Sequence, residues 1–134
     1  MLNYYETTAR LPRTNDRGIE QLVSEQYIMQ AHSCSGAEAM TMNFLEGNAL
    51  VTQVKLSAYA EIIEGNDPQH YYDVRVAYLI PDDNGKERKE VVDYLVHDES
   101  VQAADATIRQ RLSSASVEWN ICRVVETKIV DQII

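Results

Sequence analysis

The stretch YYDVRVAYLIPDDNGKERKEVVDYLVHDES, residues 71–100, decides the reading of the fold. Tyr72 to Tyr78 alternates apolar with polar or small residues, the period of a half-buried strand. Pro81 to Lys86 is a turn, because proline presets φ and Asn84-Gly85 accepts the positive φ of a hairpin. Val91 to Val96 returns as a second strand rich in β-branched and aromatic residues. From Val101 the spacing changes to threes and fours: Val101, Ala104, Ile108 and Leu112 form one stripe of an amphipathic helix. Glu118 to Ile129 then closes the segment as a further strand, with Ile121, Val125 and Ile129 expected on its buried side.

Working outward, the same order of signals occurs about 67 residues earlier. Tyr4-Tyr5-Glu6 matches Tyr71-Tyr72-Asp73, Gly18 matches Gly85, Tyr27 matches Tyr94, and Ser33, Ala37 and Leu45 match Ser100, Ala104 and Leu112. After a slip of three, Val51 meets Ile121 and Val54 meets Val124. The first half therefore reads as strands at Tyr4–Leu11 and Gln21–Ala31, then a helix opened by the capping-box spacing Ser35-Gly36-Ala37-Glu38. That helix is expected to offer Met40, Phe44 and Leu45 as apolar candidates and to end at Gly47-Asn48, before a long strand from Ala49 to Ile63. The polar link Glu64–Pro68 is too short for independent halves.

A ββαβ unit of this size buries too little surface to stand alone. The expected fold is α+β: two tandem ββαβ repeats, residues 1–66 and 67–134, packed as one pseudo-symmetric domain. It would have six mostly antiparallel strands and both helices on one side. Unpaired sheet edges leave room for a homo-oligomer.

Charge narrows the partners. Twelve Lys and Arg stand against twenty-one Asp and Glu, a net charge of −9, so phosphate backbones and anionic membranes are disfavoured as direct partners, a basic partner surface or mimicry of a nucleic acid is allowed, and solubility alone accounts for such a charge. No apolar run approaches the roughly 18 residues of a membrane span, and MLNYYETTARLPR lacks the form of a signal peptide, so a cytoplasmic setting is expected. Two cysteines, Cys34 and Cys122, make no disulfide framework and are expected as buried thiols.

Catalytic and metal signatures are sparse, and no cofactor is expected. The sequence has no phosphate loop, dinucleotide fingerprint or Cys-x-x-Cys pair. His32-Ser33-Cys34, even with His97, falls short of the ligand number of a zinc site. Cys34 at a helix start could carry a lowered pKa, but it aligns with Val101 on the apolar stripe and reads as core. Glu38 and Asp105 occupy first-turn positions that favour the helix dipole. Alternation should send one ring of each pair, Tyr4-Tyr5 and Tyr71-Tyr72, into the core and leave the other for a surface or interface. The surface that could meet a basic partner is Asp82, Asp83, Asp93, Asp98 and Glu99. Arg10, Arg75, Arg109 and Arg111 are the contacts a small anionic ligand would need.

Several blocks, spread along the chain, carry a family likeness. They are Tyr4-Tyr5-Glu6, Glu25 to Ala31, Ser35 to Ala39, Lys55 to Ile62, Tyr71 to Val74 and Glu126 to Asp131. On these the chain resembles a small uncharacterised domain widespread in Bacteroides-type gut bacteria and their phages. The resemblance transfers no activity and no functional residue; it implies a phage or mobile-element setting. The leading expectation is therefore a non-enzymatic interaction protein that binds a host protein, for instance to occlude a nucleic-acid-handling defence nuclease. The alternative is a protein that binds or sequesters a nucleotide signal.

Overall fold

The computed structural model describes residues 1–134 and builds eight strands and two helices from them. In chain order these are β1 (Asn3–Thr14), β2 (Glu20–Ala31), α1 (Cys34–Phe44), β3 (Leu50–Leu56) and β4 (Ile62–Glu64), followed by β5 (His70–Pro81), β6 (Glu87–Asp98), α2 (Val101–Leu112), β7 (Glu118–Glu126) and β8 (Ile129–Ile133). They form two four-stranded sheets, ordered β3-β1-β2-β8 and β4-β6-β5-β7. The fold is α+β. Two pairs are parallel, β2 with β8 and β4 with β6, and the other four are antiparallel.

The hairpin of residues 70–98 forms as its turn dictates. Asp82 Oδ1 accepts from the amides of Asn84 (2.9 Å) and Lys86 (2.8 Å), and twelve pairs run from His70 opposite Asp98 to Pro81 opposite Glu87. The earlier hairpin turns on Asn15, whose Oδ1 accepts from Arg17 N (2.9 Å) and Ile19 N (3.0 Å).

The chain divides into two compact units, residues 1–58 with 128–134, and residues 59–127. In the first, α1 covers Tyr5, Ala9, Tyr27, Met29 and Ile133. Its inward positions are Ala37 and Thr41, and the Thr41 hydroxyl meets that of Thr7 at 2.8 Å. In the second, Ala104, Ile108 and Leu112 of α2 pack on Ile63, Tyr72, Val74, Val76 and Val96.

Eight strands replace the expected six because both closing strands are divided. Ser57 N donates to Tyr4 O (2.9 Å) at the end of the first sheet, and Ala60 N already donates to Asp93 O (2.9 Å) in the second. Likewise Thr127 N donates to Tyr71 O (2.8 Å), after which β8 pairs with β2. Neither division carries glycine or proline, so nothing in the composition marks it.

Other expectations are corrected by the same local physics. The N-cap of α1 is Ser33, whose Oγ accepts from Gly36 N at 3.0 Å, not Ser35. Cys34 and Val101 therefore open their helices a full turn before Ala37 and Ala104 reach the sheets, and both are exposed. Cys122 is exposed too, on the extra residue of a β-bulge between Ile121 and Arg123. That bulge resets the alternation, so Ile121 and Val124 pack on the core and Val125 does not. Phe44 is exposed, and Tyr71 and Tyr72 are both buried.

Candidate functional site

Acidic charge is concentrated in the unit of residues 59–127. It holds fourteen Asp and Glu against seven Lys and Arg, a net −7, while the other unit holds seven against five, a net −2. Within it, β6 ends at Asp98 and Ser100 caps α2, its Oγ accepting from Ala103 N at 3.1 Å. Asp98 is only 2% exposed, yet its carboxylate is satisfied: Oδ1 accepts from Glu99 N (3.0 Å) and Oδ2 from Thr107 Oγ1 (2.6 Å). The chain passes so near that a β-carbon on Gly65 would collide with this carboxylate, and Gly65 N donates to His97 O at 2.7 Å.

Around this anchor lies a hollow of about 220 Å³ lined by Asn66, Asp67, Asp98, Glu99, Thr107 and Gln110 among others, with no basic side chain in its wall. Asp67 and Glu99 are exposed at its rim. A guanidinium or ammonium group would find acceptors in the hollow; a phosphate would be repelled.

The expected acidic residues do not all converge. Asp98 and Glu99 meet at the hollow, whereas Asp82 and Asp83 lie at the far end of the twelve-pair ladder, beside Lys86, Arg88 and Lys89. Asp82 is engaged as the turn acceptor. Asp93 is engaged by Arg75, which donates from Nε at 2.8 Å and Nη2 at 3.2 Å. Arg75's hydrogen bonds hold the Asp93 carboxyl below the usual range against the opposing effect of burial, with Arg123 assisting.

The arginines do not converge either. Val74 and Val76 pack on the α2 side of the sheet, so alternation sends Arg75 to the opposite face, away from Arg109 and Arg111. Arg109 donates to Asp105 at 2.9 Å, Arg111 to Glu61, and Arg123, directly across from Arg75, to Asp73 at 3.0 Å. Arg10 is exposed on β1 in the other unit.

One constellation was not anticipated. The His97 ring stacks on Tyr71 with centroids 4.0 Å apart and planes 5° from parallel, and its Nδ1 lies 3.0 Å from Glu64 Oε2. Counting back from the Asp82–Lys86 turn pairs Tyr71 with His97, so the register held this signal. No group of three or more His, Cys, Asp or Glu is arranged to hold a metal ion, and no helix is long and apolar enough to cross a membrane.

Taken together these features define an α+β protein whose most distinctive surface is an acidic hollow at a helix start. The chain belongs to the family described as a domain of unknown function (DUF4494), whose model matches residues 3–134. Comparison with curated proteins finds no match.

Proposed function

We propose that this protein is a small non-enzymatic interaction protein that docks its acidic unit on a basic surface of a host protein. In its most concrete form it is encoded by a phage or mobile element, acts in the cytoplasm, and occludes the nucleic-acid channel of a defence nuclease. The observation that carries the reading is the hollow at the start of α2, acidic in every charged lining residue and set in a unit of net −7. Such a surface steers a cationic partner and turns away nucleic acid and anionic membrane. The nucleotide-sequestering alternative has weaker support, because Arg75, Arg109 and Arg111 already serve carboxylates and lie on different faces.

We further infer that the chain is a duplicated unit, with matching Asx turns at Asn15 and Asp82, matching N-caps at Ser33 and Ser100, and matching bulges at Thr52 and Cys122. Each copy then contributes its last strand to the sheet of the other, since β4 pairs with β6 and β8 with β2.

The test is capture from host lysate at low and high salt, comparing the natural chain with an Asp67→Lys/Glu99→Lys variant. A nucleic-acid-handling protein retained at low salt, released at high salt and lost by the variant is the expected result. Retention indifferent to both salt and charge reversal, or no retained protein, overturns the proposal.

A further inference from the structure

The segment closing α1 carries an unusual residue at its left-handed position. Gly47 N donates to Met42 O (3.0 Å) and Glu46 N to Asn43 O (3.1 Å), the two bonds of a Schellman closure. The position that must turn left-handed is Glu46, at φ 57°, the one non-glycine residue of the chain with positive φ. Glycine is the usual occupant there because an L side chain is sterically penalised; here it fills only the following position, Gly47, which is also left-handed at φ 75°. By contrast α2 ends at Ser113 in the ordinary right-handed region (φ −60°, ψ −24°). A side chain held in the left-handed region is a local strain of the kind that clusters at ligand sites.

Glu46 lines a cleft of about 370 Å³ with Leu11, Pro12, Arg13, Phe44 and Asn48. Arg13 is not an open cation in it. Its Nε and Nη2 donate to Glu25 at 3.0 and 2.9 Å, and Glu25 also accepts from the Tyr27 hydroxyl. The final carbonyls of α1 add the negative end of its dipole beside the exposed Glu46 carboxylate. Phe44, 47% exposed and edge-on to Tyr27 at 5.7 Å, forms the aromatic wall. It also lines an adjoining hollow of about 330 Å³ with Met40 and Ile133, so an apolar track leads to an acidic end.

We propose that this cleft binds an alkylammonium or guanidinium head on an apolar stem, the chemistry shared by polyamines and by lysine or arginine side chains. The Glu46 carboxylate holds the cation in the field of the negative end of α1, and Phe44, Leu11 and Pro12 cover the stem. The cleft lies wholly within residues 1–58 with 128–134, and its occupancy does not depend on the acidic hollow at α2.

The test is an amide-resolved NMR titration of the full chain with n-hexylammonium, hexanoate and hexanol at low salt. Hexylammonium is expected to shift the Phe44, Leu45 and Asn48 amides saturably, at least tenfold more tightly than the other two. Glu46→Gly should lose that binding at least tenfold while raising Tm by about 2–4 °C, and Glu46→Gln should lose binding without the Tm gain. Opposite movement of binding and stability is a signature that a purely structural role for Glu46 would not give. Equal or tighter binding of hexanoate or hexanol, intact binding by Glu46→Gly, or no shift with any probe overturns the proposal. Agmatine and a capped arginine peptide then separate the sources: the tighter binder identifies a free amine or a protein side chain, and binding by neither overturns it.

Discussion

Gly65 lies against Asp98 so closely that the carboxylate occupies the space a β-carbon would need. The contact seats β4 beside β6 and positions a buried carboxylate that also anchors Thr107 of α2 at 2.6 Å. Gly65→Ala must displace one of these groups and is expected to destabilise the protein by about 1–3 kcal/mol. Chemical denaturation measures it; stability equal to that of the natural chain would show that the contact relaxes without cost.

The buried Thr7–Thr41 pair makes an asymmetric prediction. Thr41 Oγ1 donates to Ala37 O at 2.9 Å, so Thr7 is the donor in the 2.8 Å bond between the hydroxyls. Thr7→Val removes one bond and should cost about 0.5–1.5 kcal/mol, whereas Thr41→Val strands a buried hydroxyl and should cost about 1–3 kcal/mol. The double variant should cost less than the sum, and a double-mutant cycle reads the coupling. Strict additivity would refute it.

Acid should weaken the paired carboxylates. Asp93 is lowered chiefly by Arg75's hydrogen bonds and Glu25 chiefly by those of Arg13. Because the folded pKa lies below the unfolded one, the stabilisation is fully present above the unfolded value, about 4, and is lost as pH falls through the folded value. Asp93→Asn should therefore flatten the acid limb of a stability–pH curve below about pH 4. An unchanged slope would mean the pair contributes nothing measurable.

Ile133 tests the strand that returns to the first sheet. It is 6% exposed within the cluster around Met29 and Ala37. Ile133→Ala is expected to cost about 2–5 kcal/mol and to speed hydrogen exchange of the β2 amides paired with β8. Protection unchanged in β2 would show that β8 adds little.

Much of the fold was legible where local chemistry and periodicity agree. The Asn84-Gly85 turn set the later hairpin, and Ala104, Ile108 and Leu112 are the inward stripe of α2. Legibility failed where one extra residue changed parity. The bulges at Thr52 and Cys122 put Val51 with Val54, and Ile121 with Val124, on one face each, which strict alternation would not. It failed again where burial depends on close approach: α1 turns Ala37 and Thr41 inward because small side chains let it sit near the sheet, leaving the larger Phe44 outside. Of the candidate site, Asp98 and Glu99 were readable from sequence. Asn66, Asp67, Thr107 and Gln110 were not, because β4 and α2 bring them in only once the parallel β4–β6 pairing has formed.

That pairing has a counterpart with a temporal consequence. The β2 strand is finished by residue 31, but the partner on its open side begins at Ile129. During translation, at roughly 5–20 residues per second, β2 therefore waits about 5–20 s for a neighbour. Its unpaired amides and carbonyls are available to other chains throughout that interval. The first unit to be synthesised is thus the last to be completed, and a ribosome stalled before Ile129 would hold a three-stranded sheet in which β2 is still an unpaired edge.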